Sequence, residues 1–195
     1  MTTEDTAFNN ALAATLARKP AGELSVQFIN STPDDELSER VFSSLHHAWV
    51  EDFGCNTDRL LASLPEGARA LYLTSIAEGQ VMNGGYAQLY KNGYGPLSGA
   101  MVQAFDYFSA SRYAGMTREA NKIYQKNRLL IWVFSGRTGH ILLNLFQRDL
   151  LPSRLPELEL LDSQFYAAEG ELEALRIAKI RSSPESFVPH MPPTR

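Results

Sequence analysis

The polar residues with the most distinctive spacing lie between positions 80 and 95, in the segment QVMNGGYAQLYKNGYG. Asn83 precedes two glycines, which permit positive φ or the close approach of another backbone. Gln88 and Asn92 are four residues apart, so a helix would bring their amides to one face. Amides bind backbone groups or fix a loop, but they do not perform acid–base chemistry at neutral pH. The segment therefore indicates either a polar contact between helices and their loop or a binding pocket.

The other reactive side chains form no recognisable catalytic or metal-binding pattern. His46 and His47 are adjacent, so on a helix they would point about 100° apart and could not share a metal. Cys55 is the single cysteine, which excludes an intramolecular disulfide and a multi-cysteine zinc site. The sequence contains no nucleophile elbow, P-loop or dinucleotide fingerprint. We therefore predict no catalytic residue, no metal and no cofactor.

The elements that position these residues are predicted to be helices. Apolar residues recur at helical spacing over residues 5–18, 37–49, 97–109, 141–146 and 158–180. Pro65 begins a further helix that breaks at the glycines, and Asn83 is positioned to cap a second helix from about residue 84. Only residues 24–28 alternate like a strand, and one strand has no sheet to join. The prediction is an all-α fold, a single compact multi-helix domain with a short N-terminal extension.

The positions of proline and glycine predict three segments in the chain. They are an N-terminal helix and linker at 1–30, a helical domain at 31–188 and a flexible tail at 189–195. The N-terminus lacks the basic start and apolar core of a signal peptide. The longest apolar run, 129–134, has six residues, whereas a membrane span needs about 20. The predicted location is the cytoplasm, without membrane contact.

Charge is unevenly distributed along the chain. The net charge of −4 divides into −6 for residues 1–60, +5 for 61–148 and −3 for 149–195. The acidic residues that cluster near the two ends are Asp34, Asp35, Glu36, Glu39, Glu157, Glu159, Asp162, Glu169 and Glu173. Each cluster is either a solvated helix face or an acidic surface for a basic partner. The acidic total argues against direct nucleic-acid binding, although a basic helix at 112–128 leaves it as an alternative.

The segment at 80–95 resembles a bacterial family of unknown function that includes a Neisseria DNA mimic protein. The family pattern is E-V-x-N-G-G-[FY]-x-Q-[FY]-[FY]-x-N-x-x-G. It is matched by Val81, Asn83, Gly84, Gly85, Tyr86, Gln88, Tyr90, Asn92 and Gly95. Softer similarity extends over residues 37–187 and includes 161–166. The chain departs from the pattern at Gln80, where Glu is expected, and at Leu89, which replaces an aromatic residue.

This resemblance implies an all-α homodimer that acts in transcription regulation, by placing an acidic surface in the DNA-binding site of a regulator. Duplex DNA carries about one negative charge per 1.7 Å of axis, so a chain with a basic centre would need one dense acidic face. We predict a non-enzymatic protein whose clustered acidic residues bind a DNA-binding partner. The alternative is a small-ligand binder or enzyme with a pocket reached by Asn83, Gln88, Asn92, Glu78 and Tyr86.

Overall fold

The computed structural model describes residues 24–135 and 156–189 of the chain. These residues form α-helices and two 3₁₀ turns and contain no strand, which confirms the predicted all-α fold. The helices are α1 (Val26–Ser31), α2 (Asp34–Glu51), α3 (Thr57–Ser63), α4 (Glu66–Lys91), α5 (Ser98–Tyr107), α6 (Ser111–Ser135), α7 (Pro156–Tyr166) and α8 (Glu171–Ser182). The 3₁₀ turns are Gly95–Leu97 and Pro184–Phe187. The helices predicted at 5–18 and 141–146, and the tail after residue 189, lie outside the described residues.

The chain divides into two compact units, and helix α4 begins in the first and ends in the second. The first unit comprises the described residues of Met1–Ser75 and Gly170–Arg195, and the second unit those of Ile76–Glu169. None of the described helices combines the length and the apolar character that crossing a membrane requires.

In the first unit, the segment with strand-like alternation is helical from Val26 onward. The side chain of Ser25 accepts a 3.1 Å hydrogen bond from the backbone N–H of Phe28 and so caps α1. Because the cap satisfies a free N–H and Ile29 is buried in the core, a helix forms where alternation alone favoured a strand. Helix α2 buries Leu37, Val41 and Leu45, which are spaced four residues apart and face the core.

In the second unit, α5, α6 and α7 pack around aromatic side chains. The rings of Tyr113 and Phe165 meet edge to face with centroids 5.0 Å apart, and Tyr86 approaches Phe165 in the same way at 5.9 Å. Phe105 and Phe165 are completely or almost completely buried. This packing holds α6 and α7 beside the C-terminal part of α4, where the family pattern lies.

Candidate functional site

Helix α4 is kinked in its C-terminal half at Gly84 and Gly85, where the backbone leaves the helical conformation. Gly85 has φ +74° and ψ −179°, a region of backbone space that is essentially restricted to glycine. A Cβ added to Gly85 would lie 2.2 Å from Oδ2 of Asp162. The predicted break after Asn83 is therefore confirmed, and the second glycine is required by both conformation and space.

Two side chains of α7 bind the backbone on either side of this kink. Oδ1 of Asp162 accepts a 2.8 Å hydrogen bond from the N–H of Tyr86, and the hydroxyl of Tyr166 donates to the carbonyl of Val81 at 3.1 Å. Asp162 and Tyr166 are four residues apart and so share one face of α7. The prediction that Asn83 caps the second part of α4 is wrong. Its side chain is exposed and makes no hydrogen bond to another described residue, and the carboxylate of Asp162 acts as the cap instead.

The surroundings of the kink raise the pKa of the Asp162 carboxyl and that of the Tyr166 hydroxyl. Burial is the main cause for Asp162, and the nearby negative charge of Glu159 raises its pKa further, while the hydrogen bond from Tyr86 opposes both effects. The pKa of the Tyr166 hydroxyl is raised by burial and by the charge of Asp162. Tyr166 is thus a neutral hydrogen-bond donor, and Asp162 is bound to the fold although the sequence grouped it with the partner-binding acids.

The two tyrosines of the family pattern bind one face of α6. The hydroxyls of Tyr86 and Thr117 lie 2.9 Å apart, and the hydroxyl of Tyr90 donates to Oδ1 of Asn121 at 2.7 Å. The ring of Tyr90 also stacks on Tyr124, with centroids 4.2 Å apart and planes within 9°. Burial raises the pKa of both pattern tyrosines, so they remain protonated at neutral pH. Sequence reasoning placed Tyr86 and Tyr90 correctly in the core, but it missed their partners on α6.

Gly95, the last residue of the pattern, lies against the same face of α6. A Cβ at this position would lie 2.6 Å from the hydroxyl oxygen of Tyr124. The Gly95 carbonyl accepts a 2.7 Å hydrogen bond from the hydroxyl of Ser98, whose own carbonyl accepts from Nδ2 of Asn121 at 3.1 Å. The glycine therefore allows the turn after α4 to approach α6 closely.

The amides of the pattern contact different partners. Nδ2 of Asn92 donates a 2.7 Å hydrogen bond to Oε1 of Gln80, which joins the two parts of α4 across the kink. The Gln88 side chain lies over Gly84, since a Cβ there would be 2.1 Å from its Oε1. Both partners are amides, so this contact carries no charge. These contacts favour the interpretation of the segment as a polar contact that holds the helix and its loop.

A comparison with protein-family models matches residues 62–183 of the chain, more than half of its length, to the model described as DMP19-like protein. The chain belongs to the DMP19-like family. The name refers to DNA mimic protein 19, and the matched range of this DMP19-like chain contains the kink and the faces of α6 and α7 that bind it. The comparisons with curated proteins and with solved structures gave no significant match.

Helices α2 and α8 of the DMP19-like chain pack antiparallel in the first unit. Arg181, near the end of α8, binds Asp34 at the start of α2, with Nη2 2.6 Å from Oδ1. Ser38 donates to the carboxylate of Glu173, at the start of α8, at 2.6 Å. This arrangement brings together five of the predicted acidic residues, which are Asp34, Asp35, Glu36, Glu39 and Glu173. Four of them, at 34–39, lie before the range matched by the family model.

Some of these acids have cationic neighbours, but the first unit remains acidic. Arg40 binds Glu36 with a 2.6 Å distance from Nε to Oε2, and Nη1 of the buried Arg176 lies 3.7 Å from Glu173. Asp35 is exposed and forms no ion pair with another described residue. The described residues of this unit carry eleven Asp or Glu side chains and six Lys or Arg side chains, so its surface charge is negative at neutral pH.

The other predicted acids, Glu157, Glu159, Asp162 and Glu169, lie in the second unit on or just after α7. The basic residues of α6 in the same unit are partly neutralised. Arg118 lies 3.4 Å from Asp106, and Lys122 lies 2.7 Å from Glu119. Within residues 24–135 and 156–189, no three His, Cys, Asp or Glu side chains are grouped closely enough to hold a metal ion.

Proposed function

We propose that this DMP19-like protein is a non-enzymatic regulator that binds a DNA-binding protein in the cytoplasm and thereby affects transcription. The surface that would do so is the acidic face of the first unit. We define the acidic face as Asp34, Asp35, Glu36, Glu39 and Glu173. Membership of the family and the antiparallel packing of α2 and α8 support this proposal.

The observation that carries the proposal is the charge density at the start of α2. Four carboxylates lie between positions 34 and 39, which corresponds to about 8 Å of helix axis at a rise of 1.5 Å per residue. That is one negative charge per about 2 Å, close to the value of about 1.7 Å for duplex DNA. Glu173, held beside α2 by Ser38, adds a fifth carboxylate from the neighbouring helix. The spacing of carboxylates at the start of α2 is therefore close to the spacing of phosphate charges in DNA, with Arg181 and Arg40 pairing with two of the four.

The alternative, a pocket built from the family pattern, receives less support. Tyr86 is completely buried, and the space in front of Gly85 is filled by Asp162. Asn92 and Gln80 bind each other, and the pattern tyrosines bind α6. Because these polar groups already hydrogen-bond to one another or to α6, we infer that the pattern stabilises the helix kink and does not bind a substrate.

A competition experiment tests the proposed function. The full-length protein is immobilised and incubated at low salt with a lysate of the source organism, and bound proteins are eluted with duplex DNA. We expect duplex DNA to release a DNA-binding protein, because both would occupy the same site. A double variant, Asp35→Lys with Glu39→Lys, should lose this protein, since it reverses two charges in the acidic face.

The matched control reverses the same number of charges at the other end of α2, through Glu51→Lys with Asp52→Lys. Both control residues are exposed, and the control should retain the captured protein. Capture that duplex DNA does not compete, or capture that survives in the Asp35→Lys and Glu39→Lys variant, would rule out the acidic face as a DNA mimic.

The resemblance also implies a homodimer, which would present two acidic faces to a symmetric regulator. Sedimentation velocity of the full-length protein tests this part of the proposal. A single species at the monomer mass over micromolar concentrations would contradict it.

A further inference from the structure

A buried histidine in the first unit has a ring nitrogen without a hydrogen-bond partner. His46 lies on α2 and is only 6% exposed. Its imidazole lies among three aromatic rings, whose centroids are 4.9 Å away at Trp49, 5.6 Å at Phe42 and 6.2 Å at Tyr72. Within the described part of the chain, Nδ1 of His46 and Nε1 of Trp49 are both buried and make no hydrogen bond. A side chain that can take up a proton near neutral pH thus occupies an apolar position.

The aromatic group around His46 joins two helices of the first unit. Phe42, His46 and Trp49 are spaced four and three residues apart and so lie on one side of α2, whereas Tyr72 belongs to α4. The planes of the His46 and Tyr72 rings are within 19° of parallel, and the Phe42 centroid is 5.6 Å from that of Tyr72. His46 is therefore part of the contact between α2 and the first part of α4.

A proton on His46 would place a charged donor in this contact. In the imidazolium both ring nitrogens are donors, whereas a neutral imidazole has only one. Nδ1 would then be a buried, charged N–H group without an acceptor, which is more costly than a neutral polar atom left in the same place. Protonation therefore favours any state in which the ring reaches water.

Charged side chains on the neighbouring elements are exposed or bind α2 elsewhere. Those of α3 and of the first-unit part of α4 are Asp58, Arg59, Glu66 and Arg69, all exposed, and so are the charged residues of α2 itself. Helix α8 carries Glu171, Glu173, Arg176, Lys179 and Arg181. Its polar contacts with α2 are at Asp34 and Ser38, two or more helical turns before His46. Burial accordingly lowers the pKa of His46, and no neighbouring charge offsets it.

We propose that His46 is a pH-sensitive switch in the first unit, whose protonation loosens the contact between α2 and α4. At neutral pH the uncharged imidazole packs among the aromatic rings. In mild acid, states in which the ring leaves Tyr72 and is hydrated gain population, because they bind the proton more tightly. Helix α2 also carries four carboxylates of the acidic face, but the switch does not depend on the proposed function.

Urea denaturation of the full-length protein between pH 7.5 and 5 tests the switch. His46→Phe keeps an aromatic ring in the group but cannot take up a proton. Because the pKa of His46 is lowered below 6.5 by folding, the stability that it contributes is present above pH 6.5 and is lost as the pH falls through the folded pKa. We expect the unfolding equilibrium constant of the unmodified protein to rise about tenfold relative to that of His46→Phe, as for one buried polar group left without a partner.

The matched control is His47→Phe, the same substitution at the adjacent residue, which is exposed. Its unfolding equilibrium constant should follow that of the unmodified protein to within about twofold over this pH range, as for an ordinary surface substitution. Proton NMR of the imidazole rings, assigned with the two variants, should show that His46 titrates at a lower pH than His47. This titration uses the unmodified protein, so it decides the proposal even where His46→Phe does not fold.

Hydrogen exchange followed by mass spectrometry shows where the protein loosens. At pH 5.5 the amides of α2 should exchange faster in the unmodified protein than in His46→Phe, while those of α6, in the second unit, should exchange equally. Equal exchange of α2 in the two proteins would overturn the proposal. So would a His46 that titrates at or above the pH of His47, which is expected if the aromatic rings stabilise the imidazolium as a cation.

Discussion

Asp162 and the backbone N–H of Tyr86 form a 2.8 Å hydrogen bond between residues 76 positions apart in the sequence. The bond places a carboxylate at the N-terminal end of the second part of α4, where a negative charge also interacts favourably with the helix dipole. The kink within the family pattern is thus capped by a residue of a different helix. The observed backbone at the kink is therefore stabilised by the packing of α7 against it.

Replacement of Gly85 by alanine should destabilise the protein by at least about 2 kcal/mol, because a non-glycine residue is strained at this φ and ψ. The added Cβ would also displace the carboxylate of Asp162. Urea denaturation measures the change. The control is Gly79→Ala in the same helix, where a Cβ meets no atom within 4 Å. It should stabilise the protein by about 0.5–1 kcal/mol, and equal effects of the two substitutions would contradict the strain argument.

Asp162 should make a pH-dependent contribution to stability that Asp162→Asn removes. Its pKa in the folded protein is raised above the ordinary value of 3.8, so the folded state binds a proton more tightly than the unfolded state. The unfolding free energy of the unmodified protein should therefore increase relative to that of the variant as pH falls through the folded pKa of Asp162. The increase should be complete once the pH is below 3.8. Denaturation curves of both proteins between pH 7 and 3.5 measure the difference. A difference that shrinks on acidification would have the wrong sign for this explanation.

The buried hydroxyls of Tyr86 and Thr117 should be energetically coupled. Tyr86→Phe leaves Thr117, which is completely buried, without this partner, and should cost about 1–3 kcal/mol. Adding Thr117→Val removes the stranded hydroxyl, so the double variant should be more stable than the sum of the two single changes predicts. A double-mutant cycle by urea denaturation measures the coupling. Strict additivity would show that the 2.9 Å contact contributes no specific energy.

Arg181→Lys should destabilise the first unit by about 1–3 kcal/mol, because an ammonium cannot reproduce the planar set of donors of a guanidinium. Arg181 binds Asp34 and also donates to the carbonyls of Ile29 and Thr32. Thermal unfolding measures the loss. Arg40→Lys, at the exposed pair with Glu36, serves as the comparison and should change stability by less than about 0.5 kcal/mol.

Local signals in the sequence predicted the helical class and the position of the break in α4. The glycine pair predicted the kink because its cause, the backbone freedom of glycine, lies in the same few residues. The partner at the kink was missed because a local capping rule selected Asn83, whereas the cap comes from Asp162 on α7. The spacing of Asp162 and Tyr166 places them on one face of a helix, but nothing in that spacing indicates what the face contacts.

The acidic residues show the same division between local and distant information. Their number and clustering were evident, yet their roles depend on neighbours from other helices. Glu173 accepts from Ser38, and Asp34 binds Arg181, because α2 and α8 pack antiparallel. The alternation at 24–28 was misleading because the Ser25 cap, together with burial of Ile29, favours a helix. The sequence therefore indicated where the carboxylates cluster, and packing decided which of them have partners within the fold.

The bond between Asp162 and Tyr86 also affects how related sequences should be compared. An acid that recurs at this position in DMP19-like proteins would ordinarily be attributed to imitation of the phosphate backbone. In this chain, the same carboxylate replaces a missing helix cap. Its retention across species would thus indicate selection on folding, and it would not count as evidence for imitation of phosphate groups.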